Sequence, residues 1–499
     1  MTLLPALPIM IPLAGAVLCM LLRKSVVLQK AIALATSGIL LLTAVCLMVH
    51  TRTGTIAVMH VGHWQAPFGI TLAVDMLSCV MLLLTGLLAV GISFYACFDL
   101  DQPRMQFGFF PLMLILLMGV NGAFVTGDLF NLYVWFEVLL TASFILLALG
   151  GERPQLEGSV KYVALNLLSS ALFLAGIGIL YGMAGTLNLA ELAVVVQQGE
   201  RGGLVTMVAV MFLMAFGIKA GMFPLYFWLP ASYPTPPIVV TALFSGLLTK
   251  VGVYSLIRVF TLVFSTDPEF LHGLILVGAG LTMLSGVLAA AAQFEMRKIL
   301  AVHIVSQIGY IVMGLGLFTQ LALTGTIFYL IHIMIVKTNL FLVAAAVNRI
   351  KGTYELKKLG GLYKEKPGLS ILFIISAMSL AGVPPLSGFF AKLALIIAGL
   401  RQEAWLIVGV ALGVSLLTLY SMTKIWSYVF WEPAPEPLPD LNPMPSGKWI
   451  MFLLPMIGFT ILTIGIGVFA GPIFDYADAA AGQLMNPQGY IDAVLGGGG

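Results

Sequence analysis

Apolar runs of about 20 residues recur along this chain from end to end, each long enough to cross a bilayer as a helix. Fourteen such runs stand out, at approximately 3–22, 26–49, 72–98, 107–124, 128–149, 159–182, 204–223, 238–263, 273–292, 298–318, 322–346, 368–399, 404–430 and 449–474. The polar stretches between them are short. The longest, at about 50–71, 183–203, 347–367 and 431–448, read as surface loops or short amphipathic pieces, and none would make a soluble domain. This pattern predicts an all-α polytopic membrane protein with about 14 transmembrane helices. The first run, Leu3 to Leu22, has no charged segment ahead of it and is expected to be a retained helix rather than a cleaved signal.

Composition excludes a soluble protein. Of the 499 residues 9% are charged and 60% hydrophobic, against roughly 25% charged in soluble domains, and the mean hydropathy is +1.06. The net charge of +3 is spread over short loops and points to no nucleic-acid partner. Cys19, Cys46, Cys79 and Cys97 lie in apolar runs without CxxC spacing and read as small buried hydrophobes, neither a disulfide frame nor a metal site. Loops following odd-numbered runs hold fifteen Lys and Arg, whereas those following even-numbered runs hold three: Arg52, Arg201 and Arg401. By the positive-inside rule the odd loops face the cytoplasm, and both termini lie outside the cell membrane.

Apart from Lys30, Lys161 and Lys298, which stand at the starts of their runs and count with the preceding loops, six basic residues fall inside the runs. Arg258 and Lys424 are within about two turns of a run's end and are expected to snorkel to the surface. Lys219, Lys250, Lys337 and Lys392 are too deep for that, Lys219 being some 22 Å into its run at the helical rise. Glu137 is the one carboxylate well inside an apolar run, while Asp75 and Asp128 begin runs, where a helix N-terminus favours an anion. Each deep charge costs about 2.5–3.5 kcal/mol on insertion scales, roughly 12–17 kcal/mol for five. They must therefore face one another, polar groups or water. One carboxylate cannot neutralise four lysines, which argues against ion pairs that merely fix helix packing.

Two of the runs are interrupted. The seventh breaks at Pro224, five residues after Lys219, and the twelfth at Pro384-Pro385-Leu386-Ser387-Gly388, shortly before Lys392. Non-helical backbone at membrane depth survives only where protein buries it or a wet cavity meets it. A lysine before one break and after the other fits two inverted five-helix repeats with broken helices 7 and 12, the prolines acting as hinges. The implied division is 1–106 for helices 1–3, 107–263 for the first repeat, 273–430 for the second, and 449–499 for helix 14 and the tail.

TGDLFNLYVWFEVLLTASF (126–144) and KAGMFPLYFWLPASYPTPPIVVTALFSGLLTKVGVY (219–254) resemble the antiporter-like membrane subunits of respiratory complex I and of Mrp-type multisubunit sodium/proton antiporters. MRKILAVHIVSQIGYIVMGLG (296–316) and GVPPLSGFFAKL (382–393) carry the resemblance into the second half. Within this superfamily VGHWQAPFGITLAVDMLS (61–78) and IVKTNLFLVAAAV (335–347) are similar to the D-subunit family of Mrp antiporters, and the chain is too short for the A-subunit family. The resemblance implies that Glu137, Lys219, Lys250, Lys337 and Lys392 are the family's charged residues of helices five, seven, eight, eleven and twelve. It also implies partners: a long A-type homologue, small membrane subunits, and H⁺ and Na⁺ as the ions moved. One departure concerns a histidine that complex I's largest antiporter-like subunit has four residues before its eleventh-helix lysine. Here that position is Ile333, and His332 precedes Lys337 by five residues, facing away from it on an ideal helix unless a π-bulge intervenes. His303, with Gln307 one turn on, is either a satisfied interior histidine or a proton relay.

Burial favours the neutral form of amine and carboxyl alike, and an opposite charge nearby reverses this. A Glu137–Lys219 pair is thus expected to switch, releasing a proton toward Lys250, Lys337 and Lys392 when it separates. The function expected is proton translocation within a Na⁺/H⁺ antiporter. The alternatives are the membrane part of a redox-driven pump, such as complex I or a membrane hydrogenase, and a scaffold whose charges only hold partners. No motif for flavin, iron–sulfur cluster or quinone occurs, so no cofactor is expected, and no cluster of acids offers Na⁺ the oxygen ligands it wants.

Overall fold

The computed structural model describes residues 3–198, 202–264, 268–435 and 445–496, so Arg201 lies outside the described residues. The fold is nearly all helical. Its principal helices are α1 (Leu7–Leu21), α2 (Val26–Thr51), α3 (Met76–Asp99), α4 (Phe109–Val125), α5 (Leu129–Leu147), α6 (Arg153–Ala184), α7 (Gly202–Ala220) and α8 (Ile238–Leu262). They continue with α9 (Pro268–Ala291), α10 (Met296–Leu317), α11 (Gln320–Lys351), α12 (Pro367–Ala381), α13 (Ser387–Arg401), α14 (Trp405–Ile425) and α15 (Ser446–Val468). Among the described residues, 12 helices are long and apolar enough to cross a membrane. Two of the runs read from sequence are shorter: α4 has 17 residues, and the twelfth run is divided into α12 and α13 of 15 each.

Local chemistry sets the helix ends. Asp75 and Asp128 accept from the amides of Ser78 and Asn131 at 2.9 and 2.7 Å, capping α3 and α5 as their positions imply. Gly221 and Gly382, at φ +84° and +91°, close α7 and α12 in the left-handed conformation that glycine adopts without strain. In both cases the second residue past the helix end bonds back toward the last turn, Met222 to the Gly217 carbonyl at 2.8 Å and Val383 to that of Met378 at 3.0 Å. The two breaks are therefore built by the same local device, A-G-x-x-P in Ala220–Pro224 and A-G-x-P-P in Ala381–Pro385.

Three helices form the interior. The apolar windows of α8 and α10 are 100% buried and that of α11 94%, whereas α1, α2, α6 and α9 reach only 39%. The interior helices carry Lys250, His303, His332 and Lys337, so these polar groups are on the helices most removed from lipid. Three features escape the sequence pattern. Residues Ala57–His60, in what reads as a loop, and Thr71–Val74, mostly at the start of the third run, pair as a two-stranded antiparallel sheet. Beyond α15 the tail folds into α16 (Ala470–Met485) and α17 (Gln488–Leu495), and Gln483 of α16 accepts from the Met76 amide at 3.1 Å. Cys19 and Cys79 are buried, but Cys97 is half-buried and Cys46 exposed, correcting the buried reading for those two.

Candidate functional site

Lys219 occupies the last turn of α7, directly before the break, and its Nζ donates to Ser170 Oγ on α6 at 3.3 Å. The ammonium also lies 4.7 Å from the centre of the Phe136 ring. Glu137, the next residue on α5, is half-buried, and its Oε1 has no hydrogen-bond partner. Among the described residues no ion pair joins Glu137 to Lys219. The two are charge neighbours without ion-pair contact. Glu137 instead follows the outward face of α5, where Phe130, Val134, Phe144 and Ile145 are exposed.

A small cavity of about 20 Å³ adjoins Lys219, lined by Phe136, Tyr162, Asn166, Trp228 and Leu248 among others. It has room for about one water and reaches the start of the second part of α8. That helix is kinked at Leu247, and Lys250 Nζ donates to the Ser245 carbonyl at the kink. Gly252 lets α8 lie on the α7 break: a Cβ there would come within 2.6 Å of the Ala220 amide nitrogen and 2.9 Å of the Lys219 carbonyl carbon. Backbone cannot yield as a side chain can. Gly252→Ala is therefore expected to lower the thermal midpoint of the purified protein, overpacking of this kind costing about 1–3 kcal/mol, and to lower transport with it. An unchanged melting profile would show that the contact can relax.

The second half has a longer polar chain. Lys392 Nζ donates to the Leu380 and Ala381 carbonyls at 3.0 and 3.1 Å, capping α12 across its break, and lies 4.8 Å from the Tyr310 ring centre. Lys337 Nζ donates to the Leu300 carbonyl on α10 at 3.1 Å. His332 Nδ1 meets Ser387 Oγ at 2.8 Å, and Ser387 Oγ meets Ser379 Oγ at 3.0 Å. The helix α11 runs unbroken through both residues, so His332 and Lys337 turn to different neighbours, as their five-residue spacing implies. His332 packs edge-on against Tyr329 at 5.6 Å. Tyr329 donates to Gln307 Oε1, Gln307 Nε2 to Ser306 Oγ at 2.9 Å, and Ser306 meets His303 Nδ1 at 3.5 Å. The Nε2 atoms of both histidines are buried without partners. A string of hydroxyls, one amide and two imidazoles thus reaches the α12 break.

Sequence reasoning missed the neutral members of this string, Tyr310, Tyr329, Ser379 and Ser387. Their only signal is helical spacing: 303, 306, 307 and 310 share one face of α10, as do 329 and 332 on α11. Arg258 requires a correction. It does not snorkel but is buried and pairs with Asp75, Nη1 to Oδ2 at 2.7 Å. Lys424 does not snorkel either: it is buried and caps the carbonyls of Ala291 and Gln293 at 2.9 and 2.6 Å. Among the described residues Lys219, Lys250, Lys337 and Lys392 have no carboxylate partner, and each is held by carbonyl or hydroxyl oxygen.

Comparison with known proteins places this geometry. Residues 126–418 match the family described as NADH:quinone oxidoreductase/Mrp antiporter, transmembrane. The chain is 49% identical over 490 residues to the D-type subunit of the Na⁺/H⁺ antiporter of Alkalihalophilus pseudofirmus, covering 98% of each. It superposes on a chain of the Mrp complex from Dietzia sp. with a TM-score of 0.92 and 34% identity, covering 99% of this chain and 100% of that one. A chain of the membrane-bound sulfane sulfur reductase, an archaeal respiratory membrane complex, gives a TM-score of 0.89 and 26% identity over 99% and 100%.

Proposed function

The chain belongs to the NADH:quinone oxidoreductase/Mrp antiporter family, within the group of Na⁺/H⁺ antiporter D subunits, and from that premise we propose that it is the proton-translocating membrane subunit of a monovalent cation/proton antiporter. The observation that carries this reading is the set of four buried lysines without counter-ions among the described residues. A packing role would call for compensation by carboxylates, because an isolated buried charge costs several kcal/mol. An amine held by a few neutral oxygens can lose and regain its proton, and desolvation favours that exchange.

In this reading Glu137 and Lys219 begin the route, Lys250 at the α8 kink receives the proton next, and Lys337 and Lys392 carry it through the second half. His332 and His303 form a branch through Tyr329 and Gln307. The breaks at Pro224 and at Pro384-Pro385 act as hinges; the shared glycine device at their helix ends supports treating 107–263 and 273–430 as two repeats. The protein resides in the cell membrane with both termini outside. The chain assembles beside a long homologue and small membrane subunits.

A second reading, the membrane module of a redox-driven pump, is favoured by the likeness to the sulfane sulfur reductase chain; the difference between 49% and 26% identity supports the antiporter. Everted membrane vesicles separate the two. Addition of Na⁺ to vesicles energised by respiration is expected to dissipate the pH gradient when the complex holds this chain and not when the chain is deleted. Proton pumping that instead follows the turnover of an attached oxidoreductase, without response to Na⁺, would favour the second reading.

A further inference from the structure

Lys250, Tyr254 and Arg258 stand at i, i+4 and i+8 on α8 and therefore share one face. Arg258 bonds the Asp75 carboxylate twice, Nη1 to Oδ2 and Nη2 to Oδ1, both at 2.7 Å. Tyr254 lies between, its hydroxyl 2.9 Å from Ser78 Oγ and donating to the Phe124 carbonyl at 2.8 Å, while Arg258 Nη2 donates to it at 3.1 Å. The Thr249 hydroxyl beside Lys250 is buried without a partner, which asks for a water there. A bonded polar column thus runs from Tyr254 to the end of α8, and Lys250, which donates to the Ser245 carbonyl, stands one turn before it on the same face.

That end opens. A cavity of about 450 Å³ has Asp75 and Arg258 in its lining, with Gln483, Asn486 and Tyr490 of the C-terminal tail across from them. At the other end of α8 a polar cavity of about 420 Å³ includes Ile238, the first residue of the helix, with Arg297 buried beside it. Lys250 lies 12 residues from each end of α8 (238 to 250, 250 to 262), about 18 Å at the helical rise. A buried arginine–carboxylate pair gains little over apolar residues of the same volume, so stability alone does not explain one beside an open cavity and in line with a deep lysine.

We propose that Asp75 is the outer proton-exchange site of this subunit, with Arg258 its resting counter-ion and Tyr254 the hydroxyl that joins it to Lys250. The proposal rests on the proton-translocating reading and on the outward placement of the termini. A hydronium in the cavity gives its proton to an Asp75 oxygen, which becomes a neutral carboxyl and releases the guanidinium. That carboxyl then passes its proton by way of the Ser78 and Tyr254 hydroxyls and the water beside Thr249, each taking one proton and giving one, to the Lys250 amine, and the ion pair re-forms. The groups that face Asp75 and set its proton exchange are Arg258 and Tyr254 of α8, Cys79 of α3, Tyr476 of α16 and Tyr490 of α17.

The test uses the purified complex in proteoliposomes, with antiport expressed per assembled complex and Lys219→Ala prepared alongside. Asp75→Asn is expected to reduce antiport about 100-fold, the scale of a lost acid–base group. Arg258→Gln, which keeps the carboxylate, is expected to move the outer-pH midpoint of antiport upward by about one unit or more, because a carboxylate deprived of its cation holds a proton more tightly. An independent arm is Asn486→Cys treated from outside with a membrane-impermeant cationic thiol reagent. Antiport should fall several-fold relative to the unsubstituted complex treated identically, and this arm decides alone where Asp75→Asn fails to assemble. Wild-type rate and pH profile in the Asp75 and Arg258 variants, with no effect of the reagent, would overturn the proposal. If Lys219→Ala is inactive in the same series, the translocation reading survives that result; if Lys219→Ala is also fully active, the reading falls with it.

Discussion

Replacing Lys219 with alanine is expected to abolish antiport, by about 100-fold or more, in a subunit that still inserts and assembles. Among the described residues the side chain makes one hydrogen bond, to Ser170, and no ion pair, so its loss leaves a single hydroxyl without that partner. The structural cost is therefore small and the functional one large. Glu137→Gln should do the same from the other side, since it keeps the shape of the carboxyl and removes only the charge that steadies an ammonium nearby. Abundance by immunoblot and antiport in everted vesicles separate the two contributions. A Glu137 or Lys219 variant at wild-type abundance and wild-type rate would leave that residue without a part in transport.

Lys250→Arg and Lys337→Arg give the other large effect, and they distinguish proton exchange from mere positive charge. Arginine keeps the charge and can reach the same carbonyls, Ser245 for Lys250 and Leu300 for Lys337, but it does not deprotonate in proteins. If these lysines only anchor helices, arginine should preserve transport. If they relay protons, the arginine variants should be as inactive as Lys→Ala while assembling better. The comparison is of antiport rate at equal complex yield, with Lys→Ala and Lys→Arg side by side at each position. Recovery of more than about a tenth of wild-type activity by arginine would argue for anchoring, since an acid–base role is worth about 10²–10⁴-fold.

The spans and the four deep lysines were legible because a charge in a long apolar run has no cheap explanation in a bilayer. The breaks were legible for a similar reason, proline and glycine clusters being rare at membrane depth without a purpose. Other features left no such mark. Arg258 sits near its helix end, where snorkelling is the ordinary outcome, and its partner Asp75 is 183 residues away in sequence. Tyr310, Tyr329, Ser379 and Ser387 are neutral and common in interiors, so only contact with His332 and Lys392 singles them out. The kink of α8 at Leu247 has no proline, only the Ser245-Gly246 pair before it, and the tail helices α16 and α17 mix alanine with polar residues too evenly to stand out. Glu137 was identified by its depth, but its lateral placement and separation from Lys219 follow from how α5 and α7 pack, which no pattern along one helix reveals.

Proton movement through this chain, coupled to cation movement through the assembly, is the central claim. Purified complex carrying Glu137→Gln, reconstituted in proteoliposomes and followed with a pH dye and with radioactive sodium at once, puts that claim to the question. Both fluxes are expected to stop together, because a blocked proton path leaves the cation nothing to exchange with. Proton movement at the wild-type rate in that complex would contradict it.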